Sequence, residues 1–258
     1  MNRFFLLLLV FLAACAGQPK SSTGLNPPQA APKPASPQDR ARIHTELAAL
    51  YYSRANYAVA LQESTIAVEA DPQYGPAYNV LGLVQMELKE DAAADRSFQQ
   101  ALAINPNDSE ANNNYGWFLC NRGREKESIA FFLAAVRNPL YQTPELAYTN
   151  AGLCSRKLGN DKEAESYLLQ ALKLQPGQPR ALQALADIHY QRGDYKGAKE
   201  LVTRFLEVAQ PTPEILWLGL LSARGLGDRN AEASYGLQLR RRFPDSKEAL
   251  ALKSGNYQ

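Results

Sequence analysis

Hydrophobic and small residues recur along this chain three or four positions apart, in runs separated by short polar segments. The pattern is clearest between Pro72 and Pro106, which lie 34 residues apart. The recurring positions are Tyr78, Leu81 and Gly82 in the first run and Ala94, Phe98 and Ala101 in the second. Apolar residues at this spacing share one face of an α-helix, and small residues among them let two helices approach closely. The stretch therefore predicts a pair of helices joined by a short turn.

A 34-residue unit of two helices is the period of a tetratricopeptide (TPR) repeat. Sliding the unit along the chain gives six copies within residues 39–246, with two extra residues in the loop around residues 138–144 and a degenerate sixth copy. One short helix pair cannot bury its apolar face alone, so the copies must stack. The sequence predicts an all-α, right-handed superhelical solenoid of six TPR hairpins, whose first helices line a concave inner surface.

The amino-terminal segment has the plan of a bacterial secretory signal, with Arg3 followed by an apolar run over residues 4–14. This run is shorter than the roughly 20 residues that span a bilayer. It ends in Leu-Ala-Ala-Cys at residues 12–15, which resembles the lipobox of bacterial lipoproteins. Residues 1–14 are therefore predicted to be a signal peptide, and Cys15 the lipidated first residue of the mature protein. An ordinary signal with an incidental cysteine is the alternative.

The residue after the cysteine is Ala16, and not the aspartate that usually retains such lipoproteins at the inner membrane. This predicts an anchor in the outer membrane, on its periplasmic face. Residues 15–38 contain six prolines and no aromatic residue, so they predict a semi-extended tether. Residues 247–258 are left as a C-terminal tail.

Composition and motifs argue against catalysis and against nucleic acid as a partner. The net charge is only +2, and no zinc-protease, nucleophile-elbow or phosphate-loop motif is present. His44 and His189 fall at unit positions that pack between helices, and neither has a partner at metal-ligand spacing. We therefore predict no enzyme activity, cofactor, metal site or small-molecule substrate, and structural roles for both histidines.

Two further cysteines, Cys120 and Cys154, fall on the first helices of units three and four, which a solenoid packs side by side. A periplasmic location is oxidising, so the two cysteines are predicted to form a disulfide. The alternative is that both are small buried hydrophobic residues.

The concave surface is the default site for a partner, because a superhelix presents a long groove there. The predicted partner-binding residues are Asn113, Asn114, Trp117, Asn150 and Arg156. Asparagine at the sixth position of successive units resembles peptide-binding TPR domains, in which such amides hold an extended peptide backbone. The alternative is that residues 112–114 only cap or solvate a helix start. Thr45 and Glu110 stand where a carboxylate clamp would need basic residues, so no C-terminal carboxylate ligand is predicted.

Three segments carry a resemblance to a known family. They read NNNYGWFLCNRGREKESIAFFLAAVRNPLY over residues 112–141, AYTNAGLCSRKLGNDKEAESYLLQALKLQP over residues 147–176 and ASYGLQLRRRFPDS over residues 233–246. They are similar to the type IV pilus biogenesis and stability lipoproteins of the PilF/PilW family. The resemblance implies an outer-membrane TPR lipoprotein that acts as pilotin for the pilus secretin, aiding its localisation or multimerisation, or that stabilises pili. Expected partners are the secretin or other pilus assembly proteins, and the membrane through the lipid anchor. The alternative is a general periplasmic TPR adaptor that recruits an envelope or cell-wall enzyme.

Overall fold

The computed structural model describes residues 35–257, and this part of the chain contains thirteen helices and no strand. The predicted signal peptide, Cys15 and most of the predicted tether lie outside the described residues. The helices are α1 (Pro37–Ser53), α2 (Tyr57–Ala70), α3 (Gly75–Glu87), α4 (Asp91–Ile104), α5 (Ser109–Asn121), α6 (Glu125–Ala135), α7 (Pro144–Lys157), α8 (Asp161–Leu174), α9 (Pro179–Gln191), α10 (Tyr195–Val208), α11 (Pro213–Gly225), α12 (Arg229–Arg242) and α13 (Lys247–Ser254).

The first twelve helices form six hairpins, α1 with α2 through α11 with α12, which pack in chain order. Each first helix also packs against the first helix of the next hairpin, from α1 on α3 to α9 on α11. Within residues 35–257, the second helices of successive hairpins do not approach one another in this way. The stack therefore curves around the first helices, which line its inner surface. The prediction of an all-α solenoid of six TPR hairpins is confirmed.

Within a hairpin, the two helices touch where a small residue of the first faces a large residue of the second, 16 positions later. A Cβ atom built on each of these glycines would lie within 3 Å of the facing ring or side chain. The pairs are Gly82 with Phe98 (2.9 Å), Gly116 with Phe132 (2.8 Å), Gly152 with Leu168 (2.6 Å) and Gly219 with Tyr235 (2.9 Å). In hairpin five, Ala186 and Val202 occupy the equivalent positions, and both are fully buried. A larger residue on one helix is thus matched by a smaller one on the other, as close packing requires.

The turn inside a hairpin needs a left-handed residue after the first helix. Gly123 and Gly159 supply it with φ values of 77° and 74°, and no atom lies within 4 Å of a Cβ built on either residue. Glycine is therefore favoured there by conformation and not by lack of space. Lys89 adopts the same conformation in hairpin two, with φ of 65°.

The connection between hairpins three and four, residues 136–143, is longer than the four-residue connections between the other hairpins. It contains Tyr141, which folds back and packs with Ala135 and Ala147. Burial raises the pKa of Tyr141 to about 12. The two extra residues predicted in this loop therefore lie in a segment that is anchored by a buried ring.

Both ends of the repeat region differ from the boundaries expected from the sequence. Helix α1 begins at Pro37, inside the predicted tether, and the Ser36 hydroxyl caps it by accepting a hydrogen bond from the Asp39 amide at 3.0 Å. Residues 247–254, assigned to a tail, form α13, which packs on α11 and α12. Most of the expected C-terminal tail is thus helical, and buried Ala249 lets this helix cover the last hairpin. No helix in residues 35–257 has the length and apolar character needed to cross a bilayer.

Candidate partner-binding surface

Four asparagines on the inner surface bond to one another across three first helices. The Asn114 amide donates to Asn79 Oδ1 at 3.2 Å, the Asn113 amide donates to Asn114 Oδ1 at 3.4 Å, and the Asn150 amide donates to Asn113 Oδ1 at 3.0 Å. Asn79, Asn113 and Asn150 are each only 7% exposed. We call these four residues the amide ladder. Because buried amides must find partners, the ladder fixes the spacing of α3, α5 and α7.

The amide ladder changes the role expected for the predicted peptide-binding asparagines. The Asn150 amide donates a hydrogen bond to Asn113, so much of the hydrogen-bonding capacity of these two side chains is used inside the protein. Their neighbour Asn112 has the alternative role, at the start of the helix. Its amide donates to the carbonyl oxygens of Pro106 at 2.9 Å and Asp108 at 2.8 Å. Asn112 therefore fastens the turn that precedes α5.

A disulfide joins Cys120 of α5 to Cys154 of α7 in the structure, with the two Cα atoms 6.0 Å apart. Both cysteines are buried beside Phe132 and Ala151, and Trp117 packs against this cluster. The disulfide and the amide ladder connect the same two helices. Hairpins three and four are thus held together at two points along α5 and α7, one on the inner surface and one in the core.

The inner surface is open further along the solenoid. A groove of about 690 Å³ lies between α7, α9, α11 and α13. Residues that line it include Leu153, Gln183, Ala184, Asp187, Trp217 and Leu221. We call this cavity the C-terminal groove. Ala184 lies 34 residues after Asn150, so a methyl group stands at the position where the preceding hairpin carries a ladder amide.

One wall of the C-terminal groove carries an ion pair. Arg156 Nη2 lies 2.5 Å from Asp187 Oδ2, and Arg156 Nε lies 3.9 Å from Asp161 Oδ1. Both members of the closer pair are partly exposed, at 27% for Arg156 and 36% for Asp187. The predicted binding residue Arg156 thus faces the groove with its charge already balanced by carboxylates.

Two other cations lie over Trp117, which lines a neighbouring depression that shares Leu153 and Arg156 with the C-terminal groove. Arg180 Cζ is 5.0 Å and Lys157 Nζ is 6.0 Å from the centroid of its ring. We call Trp117, Lys157 and Arg180 the Trp117 cluster. Within residues 35–257, neither cation has a carboxylate at ion-pair distance. Desolvation by the surrounding protein lowers the pKa of the Arg180 guanidinium.

At the far end of the groove, the chain covers part of its own surface. The Tyr257 ring stacks on Trp217, with centroids 5.9 Å apart and planes 4° from parallel. Arg224 Cζ also lies 3.6 Å from the centroid of the Tyr257 ring. An aromatic ring therefore fits on Trp217 and gains a cation–π contact there.

The two histidines lie against carboxylates, as structural residues do. His44 Nδ1 is 2.6 Å from Glu63 Oε2, and His189 Nδ1 is 2.6 Å from Asp194 Oδ2. His189 Nε2 also lies 3.8 Å from Glu165 Oε1. The described residues contain no group of three or more His, Cys, Asp or Glu side chains that could hold a metal ion.

Sequence reasoning placed some groove residues on the inner surface and missed others. Trp117 and Arg156 face the open region, whereas Asn113 and Asn150 lie in the amide ladder. Arg180, at the second position of unit five, was missed although the template makes that position an inner one. Trp217 falls in the degenerate sixth unit and Tyr257 beyond the repeats, where no periodicity could reveal it.

The fold and this inner surface define a TPR protein built to bind other proteins, and the tetratricopeptide repeat family matches residues 45–210. Over 212 residues the chain is 31% identical to the type IV pilus assembly protein PilF of Pseudomonas aeruginosa, covering 82% of this chain and 84% of that protein. The chain therefore belongs to the PilF/PilW family of TPR proteins of type IV pilus biogenesis.

Solved structures agree with this assignment. The crystal structure of PilW, described as a widely conserved type IV pilus biogenesis factor, is 37% identical and superposes with a TM-score of 0.75, covering 83% of this chain and 98% of PilW. The structure of Pseudomonas aeruginosa PilF is 29% identical with a TM-score of 0.78, covering 85% of this chain and 99% of that one. The resemblance inferred from the sequence is confirmed.

Proposed function

We propose that this chain is an outer-membrane lipoprotein of type IV pilus biogenesis, which acts as a pilotin or assembly factor by binding the secretin and aiding its localisation or multimerisation. Membership of the PilF/PilW family supports the process. The C-terminal groove is the observation that supports binding, because it is an open stretch of the inner surface.

The chemistry of the groove suits an extended segment of a partner protein. Its lining combines apolar Leu153 and Leu221, the ring of Trp217 on which Tyr257 stacks, and the ion pair of Arg156 with Asp187. Such a surface offers a few anchor points for side chains within an elongated cavity, which is how TPR and other solenoid domains capture peptides.

A deletion strain tests the proposal. We expect loss of detergent-resistant secretin multimers and of surface pili, both restored by the wild-type chain. A Gln183→Arg variant, which places a long cation in the groove at a partly exposed position, is expected to restore them poorly. Gln170→Arg is the matched control, because Gln170 is exposed on α8, a second helix that lies away from the inner surface.

Normal secretin multimers and pili in the deletion strain would contradict the proposal. Growth or envelope defects combined with normal pili would instead support the general periplasmic adaptor. Equal rescue by Gln183→Arg and Gln170→Arg would leave the role in pilus assembly but remove the groove from it.

The anchor is proposed on the basis of the Leu-Ala-Ala-Cys motif at residues 12–15. A Cys15→Ser variant should remain uncleaved or become soluble and should not incorporate a labelled fatty acid. Unchanged outer-membrane fractionation of this variant would contradict lipidation.

We also propose that the disulfide between Cys120 and Cys154 forms in the cell. Thiol labelling of the denatured, unreduced protein purified from cells should then modify neither residue, and reduction before labelling should expose both. Modification of both without reduction would show that they are free.

A further inference from the structure

The Trp117 cluster brings side chains from three successive hairpins to one place. Trp117 is on α5, Lys157 is at the end of α7, and Arg180 is the second residue of α9. Both cations lie within 6.0 Å of the centroid of the Trp117 ring. Each cation also contacts neutral oxygens: Lys157 Nζ donates to Asn121 Oδ1 at 3.1 Å, and Arg180 Nη1 to Asn150 Oδ1 at 3.5 Å.

The electrostatics of this cluster are unbalanced. Neighbouring Arg156 lies close to two carboxylates, whereas in residues 35–257 no carboxylate lies within 4 Å of Lys157 or Arg180. Arg180 also sits in the first turn of α9, where the positive end of the helix dipole disfavours a cation. The face of Trp117 offsets only part of the lost hydration of these cations. The cluster therefore concentrates positive charge at the edge of the C-terminal groove without an ion-paired carboxylate of its own.

We infer that the Trp117 cluster binds an aspartate or glutamate side chain of the partner, presented by an extended segment whose adjacent apolar residue packs on Leu153 in the C-terminal groove. This inference rests on the proposed function only in that the ligand is a protein held on the inner surface. It adds the chemistry that the partner segment must have.

An acidic peptide fits this place better than a lipid head group. The cluster lies on the inner surface, around which the hairpins curve, and the adjoining cavity of about 690 Å³ accommodates a chain segment. A flat bilayer does not reach into such a concave surface. A carboxylate can accept hydrogen bonds from both an ammonium and a guanidinium group, and such charge-assisted bonds are short and strong.

A displayed peptide library tests the inference even when the partner is unidentified. The probe is seven random residues flanked by glycines on both sides, so that no free carboxyl terminus is present, and the bait is the full chain purified from cells in detergent. We expect aspartate or glutamate to be enriched at least about threefold at one position of the selected peptides. The enrichment should be lost with Lys157→Gln/Arg180→Gln and should change to lysine or arginine with Lys157→Glu/Arg180→Glu.

The control for charge is Lys126→Glu/Lys162→Glu, which reverses two exposed lysines on second helices and should retain the preference for acidic residues. Far-ultraviolet circular dichroism melts establish that every variant is folded. Absence of any selected peptide, selection without acidic residues, or an unchanged preference in Lys157→Gln/Arg180→Gln would overturn the inference.

A fluorescence titration then places the acidic residue in the cluster. The chain contains two tryptophans, so a Trp217→Phe variant reports on Trp117 alone. The selected peptide should change its emission, and each Lys157→Gln or Arg180→Gln substitution should raise Kd about tenfold. The same peptide with asparagine or glutamine in place of the acidic residue should bind as weakly to wild type as the original does to the variants. No emission change on binding would place the site elsewhere.

Vesicles of phosphatidylglycerol and phosphatidylethanolamine separate the lipid alternative. Vesicle binding that depends on Lys157 and Arg180, together with no preference for acidic peptides, would show a lipid site and contradict the inference. The outcome is also separable from that of the proposed function. Normal pili in the deletion strain would refute the role in pilus assembly, but the preference for acidic peptides would be unaffected by that result. Loss of pili in the deletion strain, combined with peptide selection that shows no acidic preference, would refute only the inference.

Discussion

The inner surface is closed by the amide ladder in hairpins two to four and opens into the C-terminal groove in hairpins four to six. Two residues before the tightly packed glycine or alanine of each first helix, hairpins three and four carry Asn114 and Asn150, and hairpin five carries Ala184. Asn114 donates a hydrogen bond to Asn79 and Asn150 donates one to Asn113, and these bonds close the surface, whereas Ala184 leaves the floor of a groove. One scaffold position thus serves either to link hairpins or to leave room for a partner, depending on a single side chain.

The charges at the second unit position differ along the same surface. Desolvation, reinforced by Asp108, raises the pKa of Glu110 in hairpin three, while desolvation lowers the pKa of Arg180 in hairpin five. Both ionised groups are therefore less well solvated than in water, and they have opposite sign. The closed half carries an acidic residue at this position and the open half a basic one.

The largest effect is expected from removing the disulfide that holds the closed half. Replacing both Cys120 and Cys154 by alanine should lower the free energy of unfolding by about 3–4 kcal/mol, because the bond closes a loop with a sequence separation of 34. Denaturant unfolding measures this change in free energy. The control is the reduced wild-type protein, which lacks the bond but keeps both cysteine side chains. A change below about 1 kcal/mol in both samples would mean that the bond does not constrain the unfolded chain as proposed.

A single ladder substitution should distinguish the two halves directly. Asn150→Ala leaves Asn113 Oδ1 without its donor in a buried place, so we expect a loss of about 1–3 kcal/mol in the free energy of unfolding. Gln183→Ala, in the open groove on the next first helix, should change it by no more than about 0.5 kcal/mol. Equal costs for the two substitutions would erase the distinction between a closed and an open surface.

The groove ion pair should matter less for stability than the ladder. Arg156→Gln is expected to cost less than about 1 kcal/mol, because both partners of the pair with Asp187 are partly exposed. The cost should shrink further in 1 M salt, where such pairs are screened. A double-mutant cycle with Asp187→Asn measures the coupling; a coupling well above 1 kcal/mol would show that this wall of the groove is a structural element.

The smallest effect concerns Glu110, and it depends on pH. Its pKa is raised in the folded state, so the ionised form is disfavoured by folding, and this cost is present above the folded-state pKa and disappears below the unfolded value of about 4.3. Glu110→Gln should therefore stabilise the protein at pH 7, by less than about 0.5 kcal/mol because the residue is exposed and screened by solvent. Thermal melts should show the gain at pH 7 and none at pH 3.5; a gain that persists at pH 3.5 would assign it to another cause.

Much of the fold could be predicted because residues that pack together within a hairpin recur at a constant sequence spacing. Gly82 facing Phe98 and Gly116 facing Phe132 are separated by 16 residues in both hairpins, so one period fixes the register of every unit. The amide ladder could not be predicted in the same way. An inner asparagine suits a ligand, water or a neighbouring helix equally well, and only the distance between hairpins decides that Asn113 meets Asn150.

The ends of the solenoid also could not be predicted from the 34-residue period. Helix α13 has no counterpart in the unit, and Tyr257 meets Trp217 only because that helix turns the chain back toward α11. The two cations over Trp117 come from units four and five, whereas the tryptophan is in unit three. Sequence reasoning predicted Trp117 as a binding residue and missed Arg180, and the structure brings the three side chains together.

The most direct test of the groove's role is photo-crosslinking in living cells from two positions. A photoreactive phenylalanine analogue replaces Gln183 in the C-terminal groove, or Lys162, which is exposed on the second helix α8. We expect a crosslink to the pilus secretin from position 183 and none from position 162. A secretin crosslink from position 162 alone, or a crosslink from position 183 only to proteins outside pilus assembly, would contradict the claim that this groove holds the pilus partner.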